Sequence, residues 1–399
     1  MKYDFETVMD RTGSGSAKWN LMRAMAPDVP AGIVPLSVAD MEFKNPPEII
    51  EGLKAYLDHA VLGYAAPTHS FYEAVLSWTK RRYGWETKKE WLITTPGVIN
   101  GFFHGVRAFT EPGDGVILLT PAYPPFFRAA NDTGRTLVRC PLVYKNGAYS
   151  IDFALLERLA AGEKNKLLIL SNPHNPVGRV WTREELLRLG EICLANGVFV
   201  ISDEIHCDLI MPGHTFTSFA SISPEFETHS MTCIAPSKTF NLAGMQASCI
   251  FVPDEKRRER YLKAMAGIHQ ENRLNALAYK STEIAYTRCD EWLSQLIGVI
   301  DENRRALKTF MGERCPKVGV VELQGTYLQW IDVHAFGMDP EEQERIMTRE
   351  GYLFLDEGSM FGPEGDGFER INLACPKPVL MDALKRFEKL YQKYVKESS

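Results

Sequence analysis

Lys238 stands in the run Ala235-Pro236-Ser237-Lys238-Thr239-Phe240, directly after an apolar stretch, residues 231–235, that reads as a short buried strand. A lysine amine is a nucleophile that forms Schiff bases with carbonyl compounds. The space just past the carboxyl end of a strand is where open α/β sheets place their ligands. A single lysine is by default a solvated surface charge, so its neighbours decide its meaning.

Four further groups fall at the ends of expected strands. After residues 167–170 comes Ser171-Asn172-Pro173-His174-Asn175-Pro176-Val177-Gly178. Its two Asn-Pro steps exclude the helical region before each proline and set the Asn175 amide as a donor over the sheet edge. After residues 198–201 comes Ser202-Asp203-Glu204-Ile205-His206. A carboxylate ending a buried strand is costly unless it meets water or a cation, and a protonated ring nitrogen is such a cation. Asp203 and His206 can share a ligand only if the strand stops near Asp203, because odd spacing along a strand points to opposite faces.

The segment Thr95-Pro96-Gly97-Val98-Ile99-Asn100-Gly101 opens a helical run. The free amides of Gly97, Val98 and Ile99, with the positive end of a helix dipole, suit a phosphate. Ser237 and Thr239 can add hydroxyl donors. Tyr123, fixed in Thr120-Pro121-Ala122-Tyr123-Pro124-Pro125, is either loop packing or an aromatic that stacks on a flat ring. A reactive lysine, an acid for a ring nitrogen, an amide donor, a phosphate turn and a stacking aromatic together describe a site for pyridoxal 5′-phosphate. In such a site the protein holds and tunes the ring while the cofactor acts as electron sink. Lys238, Asp203 and Tyr123 are the expected catalytic residues, with Lys238 as general base at the substrate Cα.

These side chains need a frame. The apolar runs at 116–119, 167–170, 198–201, 231–234 and 249–252 are short, rich in Val, Ile and Leu, and do not alternate with polar residues. That is the pattern of strands buried on both faces of a parallel sheet. Helical patterns separate them, such as 182–196, with Thr182 as N-cap, Glu185 three residues on and Gly197 as stop. The alternation predicts an α/β fold: a three-layer, doubly wound, mostly parallel sheet. Residues 274–311 read as one long helical stretch, followed by strands at 318–323 and 327–333, a helix at 340–349, a strand at 368–373 and a final helix at 379–393. These predict a smaller α+β domain. The expected organisation is an N-terminal segment, 1–45, packing on the small domain; a large cofactor-binding domain, 46–287; and a small domain, 288–399. A cleft between the domains is the expected site.

With 399 residues, a formal net charge of −6 and no basic cluster, the chain is not expected to bind nucleic acid or an anionic membrane. No apolar run approaches the roughly 18 residues of a transmembrane helix. The first residues lack an apolar signal core, and the eight cysteines are scattered without a C-x-x-C pair. Both point to a cytoplasmic protein with reduced thiols.

With these residues in place, the chain resembles the fold-type I pyridoxal-phosphate enzymes of the class I/II aminotransferase superfamily, over essentially its whole length. Within them it is most similar to the MalY/PatB-type cystathionine β-lyase group, including its cystalysin-like cysteine C–S lyases. The resemblance is carried by Lys18-Trp19, Ser37-Val38-Ala39-Asp40-Met41-Glu42-Phe43, Leu62-Gly63-Tyr64, Asn175-Pro176-Val177-Gly178, Ser202-Asp203-Glu204-Ile205-His206, Ala235 to Gly244 and Phe368-Glu369-Arg370-Ile371-Asn372. It implies that Arg370 grips the substrate α-carboxylate, a task suited to a guanidinium fork. It implies a homodimer in which Tyr64 reaches the partner subunit's cofactor phosphate. It adds Tyr64 and Asn175 to the substrate site, and Tyr123, His206 and Ser237 to the cofactor site.

Two departures from the usual aminotransferase pattern point towards a lyase. Eight residues after Lys238, where most relatives of that superfamily carry a phosphate-binding arginine, this chain has Gln246. Three residues after Asp203, where tyrosine is common, it has His206. Ser37 replaces a tryptophan seen in many MalY-like members. The expected activity is β-elimination from cysteine, cystathionine or related thioethers. The alternatives are an aminotransferase, which parts from the lyase only after Cα deprotonation, and a regulatory protein on the same scaffold.

Overall fold

The computed structural model describes residues 2–268 and 272–395. Its main sheet contains β1 (Leu92–Thr95), β2 (Gly115–Thr120) and β3 (Thr136–Pro141); a small hairpin of β4 (Val143–Lys145) and β5 (Ala148–Ser150) follows. The sheet continues with β6 (Asn165–Ser171), β7 (Phe199–Asp203), β8 (Ser230–Ile234) and β9 (Ser248–Phe251). The seven strands lie in the order β1-β9-β8-β7-β6-β2-β3. β3, β2, β6, β7 and β8 are parallel, whereas β9 runs antiparallel to both β8 and β1.

The unbroken apolar runs have a direct cause. Ile117, Leu119, Leu168 and Leu170 enter one buried cluster with Leu156, Leu186 and Leu189 from helices Phe153–Ala160 and Arg183–Ala195. Their neighbours Val116, Leu118, Leu167 and Ile169 enter the opposite cluster with Phe102, Val106 and Tyr261 from helices Val98–Phe109 and Glu255–Ala266. Successive strand residues face opposite sides, and both sides are dry, so neither face carries polar residues. Thr182 and Glu185 form the expected capping box.

The second sheet is antiparallel, in the order β10-β11-β13-β12: β10 (Gly319–Val320), β11 (Leu328–Asp332), β13 (Phe368–Asn372) and β12 (Asp356–Glu357). The expected long helix at 274–311 is two helices, Ala276–Arg288 and Asp290–Arg314, separated by buried Cys289, whose backbone leaves helical geometry. Neither glycine nor proline marks that break. The helix expected at 340–349 changes character half-way, from the α-helix Pro340–Arg345 to a π-turn over Ile346–Glu350. β1 and β3 were not among the expected strands. β1 is short and half threonine, and β3 lies at the sheet edge and begins exposed.

The segment leading into the main sheet is held by the small sheet and by a short helix, Ala17–Met25. The Leu36 amide donates to Phe354 O, the Asn372 amide to Leu36 O, and the Glu42 amide to Ala374 O. Fully buried Lys18 pairs with Glu42 at 2.7 Å and donates to Asp40 O at 2.7 Å. Arg11 and the Trp19 indole also bond Glu42. A buried ammonium is tolerated only with such partners, and here they fix residues 40–42 beside Lys238.

Candidate active site

A cavity of about 350 Å³ opens at the carboxyl ends of β6, β7 and β8. That volume lies within the range of ordinary small-molecule sites, roughly 300–1,000 Å³. Each strand end delivers one part. Asp203 is the last residue of β7, in register with Ser171 of β6 and Cys233 of β8. The strand stops there, as a shared ligand requires. The Ile205 amide donates to Asp203 Oδ1 at 3.1 Å, and the turn brings buried His206 onto the cavity wall.

Lys238 follows β8 by four residues and points into the same space. Its Nζ donates to Ala39 O at 2.7 Å. Burial, and then the charge of Arg370, bring its pKa down to about 8. Burial also raises Asp203 to about 7, against the opposing effects of the Ile205 amide and Lys238. Burial, followed by the charges of Lys238 and Arg370, drives the His206 pKa well below its ordinary value, so its imidazole is neutral.

The helix start expected to take a phosphate opens at Gly97. This residue precedes helix Val98–Phe109 with φ +84°, and a Cβ built there would meet nothing within 4 Å. The backbone requires glycine at that angle, and the uncovered helix start faces the cavity through Gly97, Val98 and Ile99. Ser237, Tyr123 and Asn175 complete the wall. Burial and then Asp203 raise the Tyr123 pKa, so its phenol stays protonated. Gln246, at φ +51°, is exposed at the same cavity.

Arg370, in β13, stands behind Asn175 and donates from Nη1 to its Oδ1 at 2.7 Å. It packs over the Phe361 ring at 4.6 Å. Tyr64 is fully exposed and is not part of this chain's own cavity wall. Thr239 differs from expectation. Its hydroxyl donates to buried Asp208 at 2.8 Å, away from the cavity, because residues 236–239 form a helical turn that places Ser237 and Thr239 on different sides. Sequence reasoning missed two groups: the Ala39 carbonyl, a backbone atom that no side-chain pattern marks, and Asp356, which bonds Arg370 from 14 residues away.

The cavity fits pyridoxal phosphate on this chain's own atoms. A buried acid lacks a full cationic partner, His206 Nδ1 is buried without a hydrogen-bond partner, and a glycine-led helix start is left open. The class I and II aminotransferase family model matches residues 31–387. The chain belongs to that family. Among the curated relatives of this family member, cystathionine β-lyase PatB of Bacillus subtilis is 41% identical, over 96% of this chain and 99% of PatB. Among solved structures, cystalysin from Treponema denticola, which contains pyridoxal 5′-phosphate, superposes with a TM-score of 0.97 at 46% identity, over 99% of this chain and all of cystalysin. The pyridoxal-phosphate-bound C–S lyase from Staphylococcus hominis gives 0.89 at 29% identity, over 98% of each chain. The family's pyridoxal-phosphate-dependent transferase fold is therefore the fold of this chain.

Proposed function

We propose that the protein is a pyridoxal-phosphate-dependent carbon–sulfur β-lyase. It cleaves L-cysteine, L-cystathionine or related S-substituted cysteines to pyruvate, ammonia and a thiol or sulfide. The observation that carries this reading is a lysine amine with its pKa lowered to about 8, facing a buried acid across one cavity, in a chain similar over its whole length to C–S lyases.

When bound, pyridoxal phosphate supplies the electron sink for negative charge at the substrate Cα. Asp203 would keep the ring nitrogen protonated, Gly97, Val98, Ile99 and Ser237 would hold the phosphate, and Tyr123, neutral His206 and Asn175 would hold the ring. Arg370, with Asn175, takes the α-carboxylate and points Cα–H at Lys238 Nζ. The Lys238 amine accepts that proton. The Cβ–S bond then breaks with its electron pair leaving on sulfur, and the released aminoacrylate hydrolyses to pyruvate and ammonia. Gln246 leaves the phosphate end one positive charge poorer than an aminotransferase with arginine there. The test supplies L-cystathionine and L-cysteine and follows pyruvate. Pyruvate is expected from at least one of them; turnover of an amino-acid and keto-acid pair with neither thioether nor thiol consumed would make the protein an aminotransferase.

We further propose a cytoplasmic homodimer with the domain division 1–45, 46–287 and 288–399, in which Tyr64 completes the partner's phosphate site. Val61, Leu62 and Tyr64 are all exposed in the single chain, which supports a role in assembly. Mixing Lys238→Ala with Tyr64→Ala subunits under conditions of exchange is expected to restore activity absent from the Lys238→Ala protein and exceeding that of Tyr64→Ala alone, since the heterodimer has one site with both residues intact. No gain on mixing would place Tyr64 outside the site.

A further inference from the structure

Asp356 lies where two parts of the site meet. In β12 it is the cross-strand partner of Arg370 in β13, and both side chains are buried. Its Oδ2 accepts from Arg370 Nη2 at 2.6 Å and from Nε at 3.1 Å. The same carboxylate accepts the backbone N–H of Val38, at 3.1 Å to Oδ1 and 3.0 Å to Oδ2. Val38 has φ +55°, a left-handed conformation that is a genuine outlier for a β-branched residue. Such a conformation persists only where its surroundings over-determine it. Here Asp356 holds the amide, and Asn372 Nδ2 holds the carbonyl at 2.8 Å. The next residue, Ala39, offers the carbonyl that receives Lys238 Nζ.

A guanidinium has five N–H donors. Asp356 takes Nε and one hydrogen of Nη2, and Asn175 takes one hydrogen of Nη1. One hydrogen on each Nη remains, and a carboxylate binding both oxygens at once uses one from each. We propose that Asp356 is a positioning residue for the substrate carboxylate: it holds Arg370 side-on, with its end free, and through Val38 sets the turn whose next carbonyl anchors Lys238. The inference rests on the reading of Arg370 as the carboxylate grip. Arginine and lysine are then set by one shared carboxylate, so a substrate gripped at one end meets its base at a fixed distance.

The test uses the holoenzyme and propionate, a carboxylate without an amine. Its dissociation constant is read from the shift it causes in the cofactor absorbance band, beside KM and kcat for the thioether. Asp356→Asn keeps the shape but removes the charge. It is expected to weaken propionate and raise KM at least about 10-fold, with a smaller fall in kcat, because charge-assisted forks depend on alignment. Asp356→Glu, which keeps the charge one methylene further out, is expected to lie between Asn and the parent, and it carries the test with the same readouts if the Asn variant does not fold. Unchanged propionate affinity and KM in the Asp356 variants, with both lost in Arg370→Lys, would overturn the inference while leaving Arg370 as the grip. No change in Arg370→Lys either would overturn both.

Discussion

Replacing Lys238 by alanine is expected to lower kcat for pyruvate release roughly 10²–10⁴-fold, the usual contribution of a positioned general base, while the variant still binds cofactor through Asp203 and the helix start at Gly97. The large effect follows from the absence of a substitute. Burial and the nearby Lys238 and Arg370 charges leave His206 a weak base, and Tyr123 keeps its proton, so neither is suited to take over at Cα. The cofactor-free parent protein offers an independent check. Burial and the nearby Arg370 charge disfavour the ammonium, so below pH about 8 the amine is protonated and inert, and above it the amine is free, well before the ordinary 10.5. Covalent capture of the cofactor aldehyde, trapped with borohydride, is therefore expected to speed up with pH and level off just above 8. A midpoint near 10.5 would mean that the pocket does not tune this amine.

Asp203→Asn is expected to cost almost as much. Asn cannot hold a proton on the ring nitrogen by charge, and a hydrogen bond to a charged group is worth about 1.5–3 kcal/mol, so cofactor affinity should fall roughly 10–100-fold. The elimination rate at saturating cofactor should fall as well, because the electron sink weakens. Equilibrium dialysis of the cofactor, beside kcat, separates the two losses. The Asp203 carboxylate has no other task to obscure the result: among the described residues its one hydrogen bond is from the Ile205 amide at its own turn. Affinity and kcat within a few-fold of the parent would remove it from the ring nitrogen.

Why some of this was readable in the sequence and some was not comes down to distance along the chain. Asp203, Asn175 and Lys238 each sit within five residues of the end of an apolar run, and a strand end is a local event that a local pattern marks. Gly97 is local too, since a helix start at φ +84° needs glycine. The side of a four-residue turn on which Ser237 and Thr239 fall depends on its hydrogen bonds. Buried Asp208, 31 residues away, drew Thr239 out of the site. Asp356 is invisible for the same reason, since its bond to Val38 spans 318 residues. The break at Cys289 and the strands β1 and β3 escaped because short or edge elements carry little periodic signal.

The antiparallel turn from β8 into β9 has a consequence for how such enzymes diverge. Lys238 and Gln246 both ride on the connection between these two strands, and neither side chain is part of the sheet's two dry layers. Gln246 already occupies a left-handed backbone position, and an arginine meets the same demand there as a glutamine. In the proposed site, a charge at the phosphate end could therefore be gained or lost by a single side-chain exchange that leaves the strands, their register and the reactive lysine untouched. A lineage can thus explore a change of reaction at this loop without first risking the stability of its core.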